Sequence, residues 1–383
     1  MPPRQRPHRQ QETTIEFGLD AAQRQFDAAL RAFIRSAVPL DRVRAVATTG
    51  FDAALWRELQ TLGVPALRVP EAHGGLGLGL LDAAVAAEAL GHGSVPAPFA
   101  GIAVMAPAWV QGAASAAQQA GWLPRMASGE MRVAVALDAL QVSAASAPSL
   151  QAHGLTGQAT SVLDADGATH FLVLLNDGRA ALVAAAARGV AVTLQANLDL
   201  TRSLADIRFD AAPAELLGAA TDPWALARRV RDAGRIALSA DAIGAAQHML
   251  DSAVAWAGER VQFGRVIGSF QGLKHTLAEA VTMLEPCRAL LWQAAHAHDQ
   301  QTDDARLLAC HLKAHVGDTA REVARMTTEV HGGMGFTDLL GVHHWFKRCA
   351  FDRQWLGTPA TCRDEAASLQ GWTDPTTPAE QGT

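Results

Sequence analysis

The longest uninterrupted helical pattern in the chain, which begins after Asp222, constrains the fold most. Asp222 is a favoured capping residue and Pro223 suits the first helical turn, so the pair marks a helix start. The alanine-rich sequence that follows has no stop signal before Gly258, which predicts one helix of roughly 50 Å. Further long helical stretches follow with short connections. We therefore predict an antiparallel helical bundle over residues 222–370.

Two regions of different character precede this bundle. Residues 17–129 have the pattern of short helices interrupted by glycine. Residues 130–221 contain short runs of Val, Leu and Ala separated by turn signals such as DADG and NDG, which is typical of a small β domain. Residues 1–16 and 371–383 are expected to be loose tails. The sequence thus predicts a mainly α fold with a middle β-barrel or sheet domain, and a site where the domains meet.

Composition excludes several classes of protein. The chain has 383 residues, of which 49% are hydrophobic, and a formal net charge of -6. That charge argues against nucleic acid as the main partner, and no apolar run is long enough to predict membrane insertion. The basic start, MPPRQRPHRQ, lacks the apolar region of a secretory signal. Four cysteines without CxxC spacing favour free thiols in a reducing cytoplasm: Cys287, Cys310, Cys349 and Cys362.

One histidine pair has a spacing that metal sites use. His311 and His315 stand four residues apart, on one face of a helix. However, the HLKAH segment lacks the glutamate of an HExxH motif, and no third ligand is evident. We therefore expect no metal site.

Several segments resemble those of the acyl-CoA dehydrogenase family, and they occur in the family's order. They are LGVPALRVPEAHGGLGLGLLDAAVAAEALG, GWLPRMASGE, DLTRSLADIRFD, ERVQFGRVIGSFQGLKH and EVHGGMGFTD. The resemblance runs from about Phe17 to about Leu369. It implies a helical domain, a β domain and a C-terminal four-helix bundle, with FAD between the last two. It also implies a homo- or hetero-oligomer built as a dimer of dimers.

The resemblance also assigns cofactor-binding positions. Arg260, in ERVQFG, matches an arginine that reaches the FAD pyrophosphate of a neighbouring subunit, and a guanidinium can offer two parallel donors to phosphate oxygens. Matching positions near the cofactor are Phe263, Gln271, Gly332, Gly333 and Thr358. In the family the first two line the adenine-side cleft, the glycines allow close backbone approach, and the threonine lies near the pyrophosphate.

The family reaction removes a proton beside a thioester carbonyl and transfers a hydride to the flavin, so it needs a base. In many members the base is a glutamate in a Tyr-Glu-Gly-Thr loop, and at that position this chain has Leu356. Another subset places it on the long helix directly before an arginine, where this chain has Gly234 followed by Arg235. Neither leucine nor glycine can accept a proton.

Asp241 is the candidate base. It lies seven residues after Gly234, on the same helical stripe, in the nearly apolar segment RIALSADAIGAA. Partial burial would raise the pKa of such a carboxylate toward a useful range. The structural alternative is an ion pair with an arginine on a neighbouring helix. Arg235 is expected to shape the site near the thioester or the base.

Other departures from the family pattern leave the function open. The segment ALDALQVSAASAPSL lacks the Thr-Glu-Pro…Gly-Ser-Asp stretch that borders the flavin, and Glu329 replaces a glutamine near the adenosine. The chain is thus expected to be an FAD-dependent acyl-CoA dehydrogenase that passes electrons to an electron-transferring flavoprotein. The alternative is a degenerate subunit that completes a partner's FAD site in a heterotetramer. A flavin oxidase on the same fold is a third possibility that nothing in the sequence favours. The acyl group is not specified, and the missing base hints at bulky chains of fatty acid or steroid catabolism.

Overall fold

The computed structural model describes residues 18–140, 147–218 and 220–372. The predicted tail at 1–16, and all but the first two residues of the tail at 371–383, lie outside these ranges. Within them, short helices are followed by strands and then by long helices. This order confirms the predicted fold class.

The described part of the first region contains six α-helices. They are α1 (Ala21–Ala37), α2 (Leu40–Thr49), α3 (Ala53–Thr61), α4 (Leu80–His92), α5 (Ala106–Ala113) and α6 (Ala116–Ala127). The start of α1 is fixed by a capping box, in which Asp20 accepts from the Gln23 backbone and the Gln23 side chain accepts from the Asp20 backbone. A turn of π-helix over Ala100–Met105 leads directly into α5. This irregular turn brings Met105 into the buried core.

Two four-stranded sheets form the middle region. The strands are β1 (Val133–Ala136), β2 (Ser149–Gln151), β3 (Gly154–Leu163), β4 (His170–Leu174), β5 (Ala180–Ala184), β6 (Val190–Leu194), β7 (Leu204–Ala212) and β8 (Glu215–Leu216). One sheet has the order β1-β4-β5-β8 and the other β2-β3-β7-β6. Only the β1–β4 pair is parallel among the strands described. Apolar residues of both sheets, such as Phe171 and Ile207, form a separate core between them.

The last region is the helical bundle. It contains α7 (Pro223–Glu259), a hairpin of β9 (Val261–Gln262) and β10 (Arg265–Val266), and then α8 (Gln271–Gln300), α9 (Ala305–His331), α10 (His343–Gln354) and α11 (Pro359–Leu369). The predicted start of α7 is confirmed, because the Asp222 side chain accepts from the backbone of Ala225 at 2.9 Å. No helix in the described ranges has both the length and the apolarity needed to cross a membrane.

Helices α4 and α7 pack at backbone contact, and two glycines make this possible. A Cβ on Gly244 would lie 1.9 Å from the backbone oxygen of Glu88, and a Cβ on Gly91 would lie 2.0 Å from that of Asp241. Neither backbone oxygen can move away as a flexible side chain could. The glycines therefore set the distance between the first region and the bundle.

Replacing Gly244 with alanine is expected to lower the free energy of unfolding by about 3 kcal/mol, because the methyl group must push α4 and α7 apart. Chemical denaturation measures the change. Gly258→Ala on the same helix is the matched control, since a Cβ there meets nothing within 4 Å. That variant should gain about 1 kcal/mol from helix propensity. Equal effects of the two substitutions would contradict the close-packing argument.

Candidate functional site

A cleft of about 560 Å³ lies between the β domain and the bundle. One wall comes from β1, the residues after it, and β3. The other comes from α7, α11 and residues 354–358, which comprise the last residue of α10 and the connection to α11 and are called the 354–358 loop. The Trp355 indole donates a hydrogen bond to the backbone oxygen of Ser161 at 3.2 Å, so the two walls are bridged at one point. Of the predicted site residues, Arg235 and Thr358 line this cleft.

Gly234 and Leu356 stand where relatives carry the catalytic glutamate, and they lie against each other on the bundle side of this cleft. A Cβ on Gly234 would lie 2.5 Å from Cδ1 of Leu356 and 2.7 Å from the sulfur of Met105. The space in which either position would carry a carboxylate is therefore filled by a leucine and a methionine side chain. This apolar contact joins α7, the 354–358 loop and the helical turn before α5.

Arg235 organises the cleft wall from a buried position. Its Nε donates to the backbone oxygen of Leu356 at 2.8 Å, and its Nη1 and Nη2 bind Asp232 and Glu365 at 3.1 and 2.9 Å. Burial alone would lower the pKa of Arg235, but the two carboxylates raise it above its ordinary value. The guanidinium is thus permanently charged and held in place. The shaping role expected of Arg235 stays a prediction, and its side chain does line the cleft.

Asp241 lies in a buried ion-pair network instead of in the cleft. Its side chain is 4% exposed, and Arg348 of α10 binds both carboxylate oxygens, at 2.6 and 2.7 Å. Arg202, just before β7, adds a third contact at 2.8 Å. Asp352 lies beside this group and also approaches Arg202. The network ties α7 to α10 and to the β domain.

The protonation of this network does not suit a base. Burial would raise the pKa of Asp241, but Arg202 and Arg348 together hold it below its ordinary range. Burial and the charge of Asp241 raise the pKa of Asp352 well above the ordinary value of an aspartate. A carboxylate with a lowered pKa and both oxygens bound by guanidinium is poorly placed to take a substrate proton. The geometry therefore favours the ion-pair alternative for Asp241 over the predicted role as base.

Asp138 is a carboxylate in the cleft that the sequence analysis did not single out. It follows β1 and lines the cleft. Both the backbone N–H and the hydroxyl of Thr160 donate to its Oδ2, the latter at 2.7 Å. Burial raises the pKa of Asp138, and no lysine or arginine within the described ranges forms an ion pair with it. An acidic residue two positions after the end of a buried strand was the signal that could have identified it.

The other predicted cofactor-binding residues lie together at the opposite end of the bundle. We call this the Arg260 surface, formed by Arg260, Phe263, Gln271, Gly332 and Gly333. It lies about 36 Å from Arg235 by the rise of α7. Phe263 is 91% exposed, and both glycines are exposed with open space around them. Trp256 links the parts, because the Arg260 guanidinium lies over its ring and His331 stacks against it.

The Arg260 side chain is available for a partner molecule. Among the described residues it forms no ion pair or hydrogen bond through its guanidinium, and it lies 5.8 Å from the Trp256 ring. An exposed arginine together with an exposed aromatic side chain, here Phe263, is typical of a surface that binds another molecule. The family resemblance assigned the residues of the Arg260 surface and Thr358 to one cofactor site. The structure separates Thr358, which lines the cleft, from the Arg260 surface.

Lys313 is a second positioning residue that the sequence analysis missed. Its buried Nζ donates to the backbone oxygens of Arg353 and Gly357, both at 3.0 Å. It therefore holds the 354–358 loop from α9, while Arg235 holds it from α7. Burial lowers the pKa of Lys313 to about 8.

The lowered pKa of Lys313 predicts a dependence of stability on pH. The amine keeps its proton up to about pH 10.5 when unfolded, but the folded amine releases it from about pH 8. Unfolding therefore takes up a proton in this window, so stability rises with pH. Relative to Lys313→Met, the wild type should gain about 1 kcal/mol per pH unit between pH 8 and 10. If the free energies of unfolding of the two proteins, measured by chemical denaturation, changed with pH by the same amount across that window, the assignment would be contradicted.

The predicted absence of a metal site stays a prediction. His311 and His315 are both exposed and belong to no group of three ligands in the described part of the chain. Asp338, His343 and His344 do form such a group, but Arg44 already binds the Asp338 carboxylate at 3.3 Å.

Comparisons with known proteins agree with this architecture. Residues 20–130 match the model of the acyl-CoA dehydrogenase N-terminal domain, and residues 224–368 match that of the C-terminal domain. Acyl-CoA dehydrogenase IpdE2 of Mycobacterium tuberculosis is 30% identical over 329 residues, which are 86% of this chain and 88% of that protein.

Two solved structures extend the likeness over nearly the whole chain. A variant of the Tcur3481-Tcur3483 steroid ACAD has a TM-score of 0.82 and 28% identity, covering 91% of this chain and 98% of that one. The ChsE4-ChsE5 complex from Mycobacterium tuberculosis has a TM-score of 0.83 and 27% identity, covering 95% and 100%. The family models support the FAD expected from the sequence motifs. The chain therefore belongs to the acyl-CoA dehydrogenase family of flavin-dependent oxidoreductases.

Proposed function

We propose that this chain takes part in the α,β-dehydrogenation of an acyl-CoA thioester as the subunit that completes a partner subunit's FAD site. The observation that carries this proposal is the apolar contact between Gly234, Leu356 and Met105, which fills the place of a base. Asp241 does not compensate for it, because Arg348 and Arg202 hold its carboxylate. The base in this account comes from the partner.

The Arg260 surface is this chain's contribution. The Arg260 guanidinium is exposed and has no partner among the described residues. It would bind the pyrophosphate of FAD through two parallel N–H donors. Gly332 and Gly333 leave room for the cofactor to come close to the protein backbone. FAD, when bound, supplies the hydride acceptor of the reaction. Because this surface and the cleft lie about 36 Å apart along α7, one dinucleotide is proposed to contact the Arg260 surface of one chain and the cleft of another.

The cleft on this chain's own side fits FAD less well. Asp138 places a carboxylate in it, and the hydrogen bond from Trp355 to Ser161 crosses it. An acidic group there would oppose the negative charge that reduction adds to a flavin. These features favour an assembly in which the partner's cleft, and not this one, holds the cofactor.

The comparisons support an assembly of two different chains and a bulky substrate. The Tcur3481-Tcur3483 and ChsE4-ChsE5 proteins are each named by two components, and the first is a steroid ACAD. We propose a heterotetramer of two such pairs, an acyl chain bulkier than a straight fatty acid, and an electron-transferring flavoprotein as acceptor.

Purification of the chain alone and with a second family member from the same source tests the proposal. We expect the chain alone to lack visible flavin absorbance and the complex to contain one FAD per pair of chains. Acyl-CoA thioesters with straight and ring-containing acyl groups are then added without oxygen, and the ring-containing group should bleach the flavin of the complex. A full complement of FAD on the chain alone, bleached by an acyl-CoA, would overturn the proposal.

Catalysis by this chain itself is the second candidate, and Asp138 favours it. This carboxylate lines the cleft, has a raised pKa and has no cationic partner among the described residues. If it were the base, Asp138→Asn would abolish bleaching in any assembly that contains this chain. The helper-subunit proposal expects bleaching to persist in that variant.

A further inference from the structure

A small cavity lies on the face of α7 that points away from the cleft. Its volume is about 180 Å³, and it is enclosed by α5, α7, α8 and the segment before α4. Four polar side chains line it, namely Arg68, Gln111, Arg229 and His298, together with apolar residues. Arg229 is two positions from Arg231, which lines the cleft, and this places the two side chains on nearly opposite faces of the helix. The cavity is therefore separate from the candidate active site.

Positive charge in this cavity exceeds negative charge. Arg68 approaches Asp299 through Nη1 at 3.3 Å. The other oxygen of that carboxylate accepts from the backbone of Leu80 at 2.6 Å. Arg229 is half-buried, and its guanidinium has no hydrogen bond or ion pair within the part of the chain that the structure describes. Asp299 thus faces two guanidinium groups, while Asp82 also acts on Arg68, and burial lowers the pKa of both arginines.

Two buried nitrogen atoms at the cavity also lack partners. The Nε of Arg68 and the Nδ1 of His298 have no hydrogen-bond partner among the described residues. The His298 side chain is 4% exposed, and its Nε2 lies 3.1 Å from the backbone oxygen of Arg229. Because Nε2 donates to that carbonyl, Nδ1 is an acceptor in the neutral ring, and it lies 4.0 Å from Asp299. Buried polar groups are nearly always paired, so the unpaired Nε–H of Arg68 and the unpaired guanidinium of Arg229 call for an acceptor at this cavity.

We propose that this cavity binds a phosphate-sized oxyanion. Two guanidinium groups, each with N–H donors that no described residue accepts, suit the several acceptor oxygens of such an anion. The volume admits a small ion or the terminal phosphate of a longer molecule. A second opening shares Arg229 and His298 with the cavity, and both arginines (Arg228 and Arg306) and aspartates (Asp232 and Asp303) line it. The bound anion would join α5, α7 and α8 with Arg68, and so stabilise the contact between the first region and the bundle.

Thermal unfolding and calorimetry of the full-length chain test this site. Inorganic phosphate should raise the melting temperature by about 2 °C or more, and the rise should follow the saturation of one site as phosphate is added. Chloride at the same ionic strength should not raise it. Titration calorimetry should give one phosphate per chain. Glycerol phosphate in a parallel series distinguishes a phosphate group on a larger ligand from the free ion, and acetate tests whether a carboxylate suffices.

Arg229→Gln removes an unpaired cation, so we expect it to fold without loss of stability and to abolish the phosphate response. Arg229→Lys should retain part of the response. Arg57→Gln, which removes the same charge from the exposed face of α3, should keep all of it. The proposal is overturned if chloride matches phosphate, if calorimetry detects no binding, or if Arg229→Gln responds like the wild type. None of these readouts depends on FAD or on a partner subunit.

Discussion

Replacing Arg348 with methionine is expected to lower the free energy of unfolding by about 3 kcal/mol or more. The substitution leaves Asp241 buried with only Arg202 as a cationic partner. Removing one member of a buried ion pair is far more costly than replacing the whole pair, because the remaining charge loses its compensation. Urea denaturation of the full chain at neutral pH measures the effect.

Arg353→Met is the matched control on the same helix. Arg353 pairs with Asp318 at 3.0 Å, and both side chains are partly exposed. Solvent screens such pairs, so this substitution should cost at most about 1 kcal/mol. If the Arg348 variant were no less stable than the Arg353 variant, the buried network would not have the structural role assigned to it.

Replacing Arg260 with glutamine in the assembled complex is expected to weaken FAD binding about 30- to 150-fold. Charge-assisted hydrogen bonds to phosphate contribute about 2–3 kcal/mol, which corresponds to that ratio of dissociation constants. The stability of the chain itself should change little, because the guanidinium has no ion-pair partner among the described residues. Fluorescence titration of apo-complex with FAD gives the affinity.

Arg265→Gln provides the control for that measurement. Arg265 lies in the same hairpin, but its guanidinium stacks on Phe270 at 4.0 Å, and no cofactor role is proposed for it. Its loss should leave FAD affinity near the wild-type value. Equal weakening by both substitutions would indicate a general charge effect, and no weakening by Arg260→Gln would remove this surface from the FAD site.

Much of the fold was predictable because its signals are local. Asp222 and Pro223 mark the start of α7 within a few residues of sequence, and turn signals such as DADG mark the strand ends. The irregular turn at Ala100–Met105 has no comparable signal. It depends on packing against α7, which lies more than a hundred residues later in the chain.

The site was less predictable because its contacts join distant parts of the sequence. The apolar run around Asp241 correctly indicated burial, but its partner Arg348 is 107 positions away. Only the structure shows that the guanidinium reaches it. The contact of Gly234 with Leu356 and Met105 is equally remote in sequence. Arg260 and the glycines of HGGMGF were grouped by resemblance to a family, and their exposure together was not readable from either segment alone.

The role of Asp241 can be measured directly by anaerobic bleaching of the Asp241→Asn variant, co-purified with its partner subunit and given a ring-containing acyl-CoA. The rate is normalised to bound FAD, so that loss of stability does not enter. If Asp241 is structural and the base comes from the partner, each bound flavin should bleach at the wild-type rate. A complex that retains FAD but no longer bleaches would show that this buried carboxylate takes the substrate proton, and would contradict the account.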